Sequence, residues 1–148
     1  MKVSIGCDHG GFLLKEPLKK YLENTGRVVI DHGCYDNNRV DYPDHALKVA
    51  KDVQNKNAEY GLLVCTTGIG MSITANKVKG VRAALVTNLE AAGLTREHND
   101  SNVICLGEKF TSFEDGEKYL ETFISTSFAG GRHEGRVNKI KEVETWEK

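Results

Sequence analysis

The stretch Val64-Cys65-Thr66-Thr67-Gly68-Ile69-Gly70-Met71-Ser72 decides how the chain is read. The apolar run Gly61-Leu62-Leu63-Val64 leads into it, and the helix-like run Met71-Ser72-Ile73-Thr74-Ala75-Asn76-Lys77 leads out. Strand, hydroxyl- and glycine-rich turn, then helix aims several backbone N–H groups at one point, a nest suited to an anion. The anion is either a phosphate or an oxyanion formed during a reaction. Cys65 at the lip of the nest is the unusual part. Helix N-termini favour the thiolate form, and a thiolate serves as nucleophile or as base. The competing reading is packing alone, because free cysteine at the end of a buried strand behaves as a small hydrophobe.

Outward from this stretch, apolar runs and helical stripes alternate. Towards the N-terminus, Lys2 to Cys7 reads as a strand rich in β-branched residues and stopped by Asp8-His9-Gly10-Gly11. Phe12 to Asn24 has helical spacing, with Phe12, Leu13, Leu14, Leu18, Tyr21 and Leu22 on one side. Pro17 inside it predicts a kink or a second start. Val28-Val29-Ile30 is the next strand, and Pro43 suits the first turn of a helix reaching about Asn55. Tyr60 to Val64 is the third strand. Val81 to Val86 is the fourth, followed by a helix capped by Thr87 or Asn88 and ending near His98. Val103 to Leu106 is the fifth. Ser112 caps a helix from Phe113 to about Ser125, Gly130-Gly131 breaks the chain, and a polar helix runs from Arg132 to about Glu147. That last helix either closes the domain or reaches a partner subunit.

Strands that read as continuous apolar runs are covered on both faces. Alternation with helices then implies a three-layer α/β/α sandwich around a five-stranded parallel, Rossmann-like sheet. Ligands in such sheets bind beyond the carboxyl ends of the strands. Asp8, His9, Tyr42, Cys65 to Gly70, Thr87 and Asn88 are therefore expected along one rim. His98 and Asn99 close the fourth helix, which returns them to the opposite edge unless the chain doubles back.

Length and composition narrow the classes. The chain of 148 residues fits one domain, 1–148. A net charge of −1 with 28% charged residues argues against a nucleic-acid or other polyanion binder. The start Met1-Lys2-Val3-Ser4-Ile5 reads as strand rather than leader, and no apolar run approaches membrane-spanning length, so a cytoplasmic protein without a membrane partner is expected. The four cysteines, Cys7, Cys34, Cys65 and Cys105, form no C-x-x-C pair and read as free thiols. Asp, His and Cys lack ligand spacing, so no metal is expected. Other features have two readings each. Asp8 is either a site residue or a helix N-cap. His98 is either a site residue or a cation at a helix C-terminus. Arg132 and Arg136, one turn apart, either clamp a phosphate or form a solvated face.

Gly6-Cys7-Asp8-His9-Gly10-Gly11-Phe12, Asp41-Tyr42-Pro43, Cys65-Thr66-Thr67-Gly68-Ile69-Gly70, Asn76-Lys77, Gly80-Val81-Arg82-Ala83, His98-Asn99-Asp100-Ser101-Asn102 and Gly130-Gly131-Arg132-His133 follow in that order. Together they resemble the ribose-5-phosphate isomerase B family, whose superfamily also holds galactose-6-phosphate isomerase subunits. The resemblance implies a cofactor-free, metal-independent aldose–ketose isomerase working through a cis-enediolate, with Cys65 as base. It implies that Thr67 and His98 assist ring opening and that the N–H groups of Gly68, Ile69 and Gly70 hold the enediolate. It gives Asp8, Asn99 and nearby Tyr42 to the sugar hydroxyls, and His9, Arg132 and Arg136 to the phosphate. It also implies a homodimer or homotetramer with shared active sites, and so a last helix that reaches its neighbour. Two positions depart from the family pattern: Thr66 replaces the usual glycine and narrows the approach, and Lys109 replaces an arginine near the phosphate, keeping charge but losing the bidentate fork. The retained His-Asn and Gly-Gly-Arg-His stretches favour ribose 5-phosphate over galactose phosphate; tetrose and allose phosphates are the other candidates. Two further classes stay open: a non-catalytic sugar-phosphate-binding module, disfavoured by a cysteine that binding does not need, and a cysteine hydrolase, disfavoured by a loop without arginine.

Overall fold

The computed structural model describes residues 1–146. Five parallel strands form one sheet in the order β2-β1-β3-β5-β4. They are β1 (Lys2–Cys7), β2 (Val28–Asp31), β3 (Tyr60–Cys65), β4 (Ala83–Leu85) and β5 (Val103–Gly107). The helices are α1 (Phe12–Asn24), α2 (Tyr42–Gln54), α3 (Ile69–Ala75), α4 (Leu89–Asn99), α5 (Phe113–Ser125) and α6 (Glu134–Val143). The expected α/β sandwich is thus the observed one.

Strand alternation sorts the core into two halves. Val3, Ile5 and Cys7 of β1, Leu62 and Val64 of β3 and Ile104 and Leu106 of β5 face α1, α4 and α5. Leu63, Cys65, Val103 and Cys105 face the other way, onto Ala46, Val49, Ala50 and Val53 of α2 and Met71 and Ala75 of α3. The central strands are buried throughout after Lys2 and Tyr60, which explains their unbroken apolar reading.

Several local expectations are corrected or sharpened. α1 passes through Pro17 as one helix; the missing N–H falls in its first half and removes a single bond to Leu13. β4 is shorter than Val81 to Val86, because it lies at the sheet edge and pairs only with β5. Asn88 and Ser112 do cap their helices, accepting from Ala91 N–H at 2.8 Å and Asp115 N–H at 3.1 Å. The last helix is shorter than the expected Arg132 to about Glu147: it starts at Glu134, after a 3₁₀ turn over Gly131–His133, and ends at Val143, with turn over 144–145; Glu147 itself lies outside the described residues. Its Val137 is buried, whereas Ile140 and Val143, and Trp146 beyond its end, are exposed.

The sheet order sets the site. β2 lies on one side of β1 and β3 on the other. The connections leaving β1 and β3 therefore part in opposite directions at their carboxyl ends, the kind of crevice where open α/β sheets hold ligands.

Candidate active site

β3 ends at Cys65, whose position is fixed by pairing with Gly107 of β5. The turn into α3 is governed by Gly68, which has φ of +78° and serves as the helix N-cap. A Cβ there would lie 2.7 Å from Leu85 Cδ1 and 2.8 Å from the Leu106 carbonyl carbon. Only glycine satisfies both the left-handed backbone and this contact. The turn folds Gly68 N–H back onto Cys65 Sγ, to which it donates at 3.1 Å. Cys65 is 5% exposed: it is packed in the α2–α3 half of the core and also lines a cleft at the core's edge. Cys105 behind it is fully buried; burial first, and then a charge on Cys65, push its thiol pKa up. One of the two cysteines on this face is thus kept protonated while the other meets an N–H donor.

The nest has its own internal bonds. Ile69 N–H donates to Thr67 Oγ1 at 3.2 Å, leaving the Thr67 hydroxyl hydrogen available to donate. Among the described residues the N–H groups of Gly70 and Met71 have no acceptor within the chain. They are the free donors of the first helical turn. Of the three N–H groups expected to face an anion, Gly68 and Ile69 are thus engaged within the loop and Gly70 is free, with Met71 beside it.

The cleft beside Cys65 has a volume of about 420 Å³ and is lined by Asp8, Tyr42, Cys65, Thr66, Thr67, Ile69, Gly70 and Ile73. It adjoins a hollow of about 530 Å³ that shares Asp8 and Tyr42 and adds His9 and Arg39. Asp8 is not the cap of α1: its Oδ1 accepts Gly10 N–H at 2.9 Å, and the cap position is Gly11. His9 Nδ1 accepts Val40 N–H at 3.2 Å, so the neutral ring carries its proton on Nε2. Tyr42 stands at the start of α2 with its ring against Gly70, where a Cβ would come 2.5 Å from the ring. Thr66 Oγ1 lies over Gly10, 2.1 Å from where a Cβ would be. Gly10 thus makes room for the side chain that Thr66 adds. Lys109, exposed on the same rim, donates its backbone N–H to the Thr66 carbonyl at 3.0 Å.

The remaining expected residues form a second group. α4 leaves the carboxyl edge at Asn88 and returns the chain to the start of β5. Its 11 residues carry His98 and Asn99 about 16 Å towards the opposite edge. There the His98 ring stacks on His133, with centroids 4.3 Å apart, and Ala129 N–H bonds the Glu97 carbonyl. Arg132 and Arg136 are exposed beside this stack. Desolvation first, then the charges of His98, Arg132 and Arg136, lower the His133 pKa. A larger hollow of about 750 Å³ at this edge is lined by Tyr60, Arg82, Arg96 and Asp100 among others. Its arginines are committed: Arg82 to the Asn99 and Asp100 carbonyls, Arg96 to Asp100 and the Thr126 carbonyl.

Sequence reasoning passed over Arg39 and Glu108. Arg39 lines the hollow adjoining the cleft and makes no ion pair among the described residues; its only sequence signal was proximity to Asp41-Tyr42-Pro43. Glu108 reaches α1 from 94 positions away, which no local pattern reveals. No group of three or more potential metal-ligating side chains occurs among the described residues.

A parallel α/β sheet with a cysteine and an amide nest at its switch point defines a small-molecule enzyme of the carboxyl-edge type. The ribose/galactose isomerase family model matches residues 3–140, and the chain belongs to that family. It is 38% identical to ribose-5-phosphate isomerase B of Escherichia coli over 97% of this chain and 96% of that one. It resembles the solved structure of Clostridium thermocellum ribose-5-phosphate isomerase B with a TM-score of 0.96 and 46% identity, covering 97% of each chain. The structure of the Mycoplasma genitalium enzyme with bound ribulose 5-phosphate matches with a TM-score of 0.93 and 38% identity, over 99% of this chain and 97% of that one.

Proposed function

We propose that this protein interconverts ribose 5-phosphate and ribulose 5-phosphate. The observation that carries the chemistry is Cys65 Sγ, held under the Gly68 N–H at the mouth of a cleft rimmed by Asp8 and Tyr42. Family membership and the ribulose 5-phosphate bound by the Mycoplasma genitalium relative support the substrate.

In this mechanism the Cys65 thiolate removes the proton from C2 of the open-chain aldose. The electron pair left on carbon forms the C1–C2 double bond, and the C1 carbonyl electrons move onto oxygen. The resulting enediolate is stabilised by the free N–H groups at the start of α3, donors already oriented before charge develops. Cys65 returns the proton to C1 while the O2 proton is passed to O1, which gives the ketose with no atom gained or lost. The Thr67 hydroxyl transfers protons between oxygens, and Asp8 holds sugar hydroxyls. No helix among the described residues is long and apolar enough to cross a membrane, consistent with a dissolved substrate.

A single chain separates Cys65 from His98, Asn99, Arg132 and Arg136 by the depth of the sheet. The catalytic unit is therefore a homodimer in which one protomer's far-edge group serves its partner's cleft. There His98 assists ring opening and the arginines hold the phosphate.

The test is Cys65→Ala. Turnover of ribose 5-phosphate falls about 10²- to 10⁴-fold, the range for loss of a positioned base, while calorimetry still detects sugar-phosphate binding. Retained turnover would remove Cys65 from its role.

A further inference from the structure

Glu108 stands in the 3₁₀ turn Glu108–Phe110 after β5 and has no part in the chemistry above. Its carboxylate Oε1 accepts the Leu14 N–H at 2.9 Å. α1 has no side-chain cap at Gly11 and no acidic residue in its first turn. Glu108 thus supplies from a distance the acceptor and negative charge that the start of this helix lacks.

Its two neighbours hold the opposite wall of the cleft. Lys109 N–H donates to the Thr66 carbonyl at 3.0 Å. Gly107 pairs with Cys65, and a Cβ on it would come 2.5 Å from the Thr67 carbonyl oxygen. Consecutive residues therefore grip the Cys65 loop through their backbone and the α1 end of the Asp8–Gly11 loop through the Glu108 side chain. The two loops also touch directly, since a Cβ on Gly11 would meet the Val64 carbonyl oxygen at 2.3 Å.

We infer that Glu108 is a positioning residue that fixes the spacing between Cys65 and Asp8 by bracing the β5 turn against α1. The inference rests on the isomerase reading. Proton abstraction is sensitive to displacement, and a shift of about 1 Å from a remote change costs up to about 10²-fold in rate. The brace needs an acceptor at the reach of a glutamate side chain. Glutamine provides it, aspartate falls short, and alanine has none.

The experiment compares Glu108→Ala, Glu108→Asp and Glu108→Gln with wild type, well below the unfolding temperature. It measures kcat and KM for ribose 5-phosphate, and the rate at which iodoacetamide alkylates Cys65, resolved by peptide mass spectrometry. Glu108→Ala and Glu108→Asp lower kcat about tenfold with KM within about twofold, and alkylate Cys65 several-fold faster as the loop loosens. Glu108→Gln restores both readouts to within about twofold of wild type. Wild-type kcat and alkylation in Glu108→Ala, whatever its melting temperature, would overturn the brace, and so would a Glu108→Gln variant as impaired as alanine. A wild type that does not isomerise the sugar would defeat the isomerase reading instead, and the alkylation rates would still decide the brace.

Discussion

At Gly68 the backbone conformation and the chemistry depend on the same missing atom. The residue holds φ at +78° and packs against Leu85 and the Leu106 backbone. The turn that results points its N–H at Cys65 Sγ. Gly68→Ala pairs left-handed strain, about 1–2 kcal/mol, with a clash against main chain that flexible side chains cannot relieve. A loss of about 2 kcal/mol or more in urea unfolding is expected, together with a fall in kcat as the N–H turns off the sulfur. Unchanged stability would mean that the loop shifts freely. Residue identity made part of this legible. Cysteine between an apolar run and a Gly-x-Gly turn announced both nest and thiol. Which N–H groups remain free did not follow from the pattern, because the Thr67 hydroxyl and Cys65 sulfur claim two of them through tertiary geometry.

Among the elements, helix boundaries with a local cause were the readable ones: Asn88 and Ser112 act within their own turn. Contacts between elements were not readable. Lys15, charged yet fully buried, binds Asp31 at 3.0 Å and the Cys34 carbonyl at 3.0 Å, joining α1 to the end of β2. Arg27, in the turn between those elements, grips Glu121 of α5 with two bonds of 2.8 and 3.0 Å. That bidentate pair holds the Glu121 carboxyl at a pKa of about 2, below its ordinary 4.5, with hydrogen bonds from Ser125 and Tyr21 helping. A carboxyl whose pKa is depressed on folding adds stability above its unfolded pKa and loses it as pH falls through the folded value. The gap in urea midpoint between wild type and Glu121→Gln should therefore be full above about pH 5 and narrow steadily towards pH 2. A gap independent of pH would show that the pair adds nothing through charge.

Across the whole molecule, strand alternation predicted the sandwich because buried parallel strands leave a continuous apolar signal. The rim was legible for Asp8, His9, Tyr42 and Cys65, because each directly follows a strand or starts the helix beyond one. The far edge was legible in part: α4 carries His98 and Asn99 away from the rim, the default for the end of that helix, but the stacking of His98 on His133 beside Arg132 and Arg136 had no signal in the local pattern. On the function proposed above, two-fold pairing would set each protomer's cluster against the other's cleft and so complete the site. Mixing separates this arrangement from a self-contained site. Cys65→Ala removes the base but keeps the cluster, and Arg132→Ala combined with Arg136→Ala removes the clamp but keeps the base. Unfolded together in equal amounts and refolded, random dimers put one intact and one doubly damaged site in each heterodimer. With half of all dimers mixed, about a quarter of wild-type turnover should return from two nearly inactive proteins. If both sets of residues served the same protomer's cleft, no combination would rebuild a complete site, and turnover of the mixture would stay at the level of its parts.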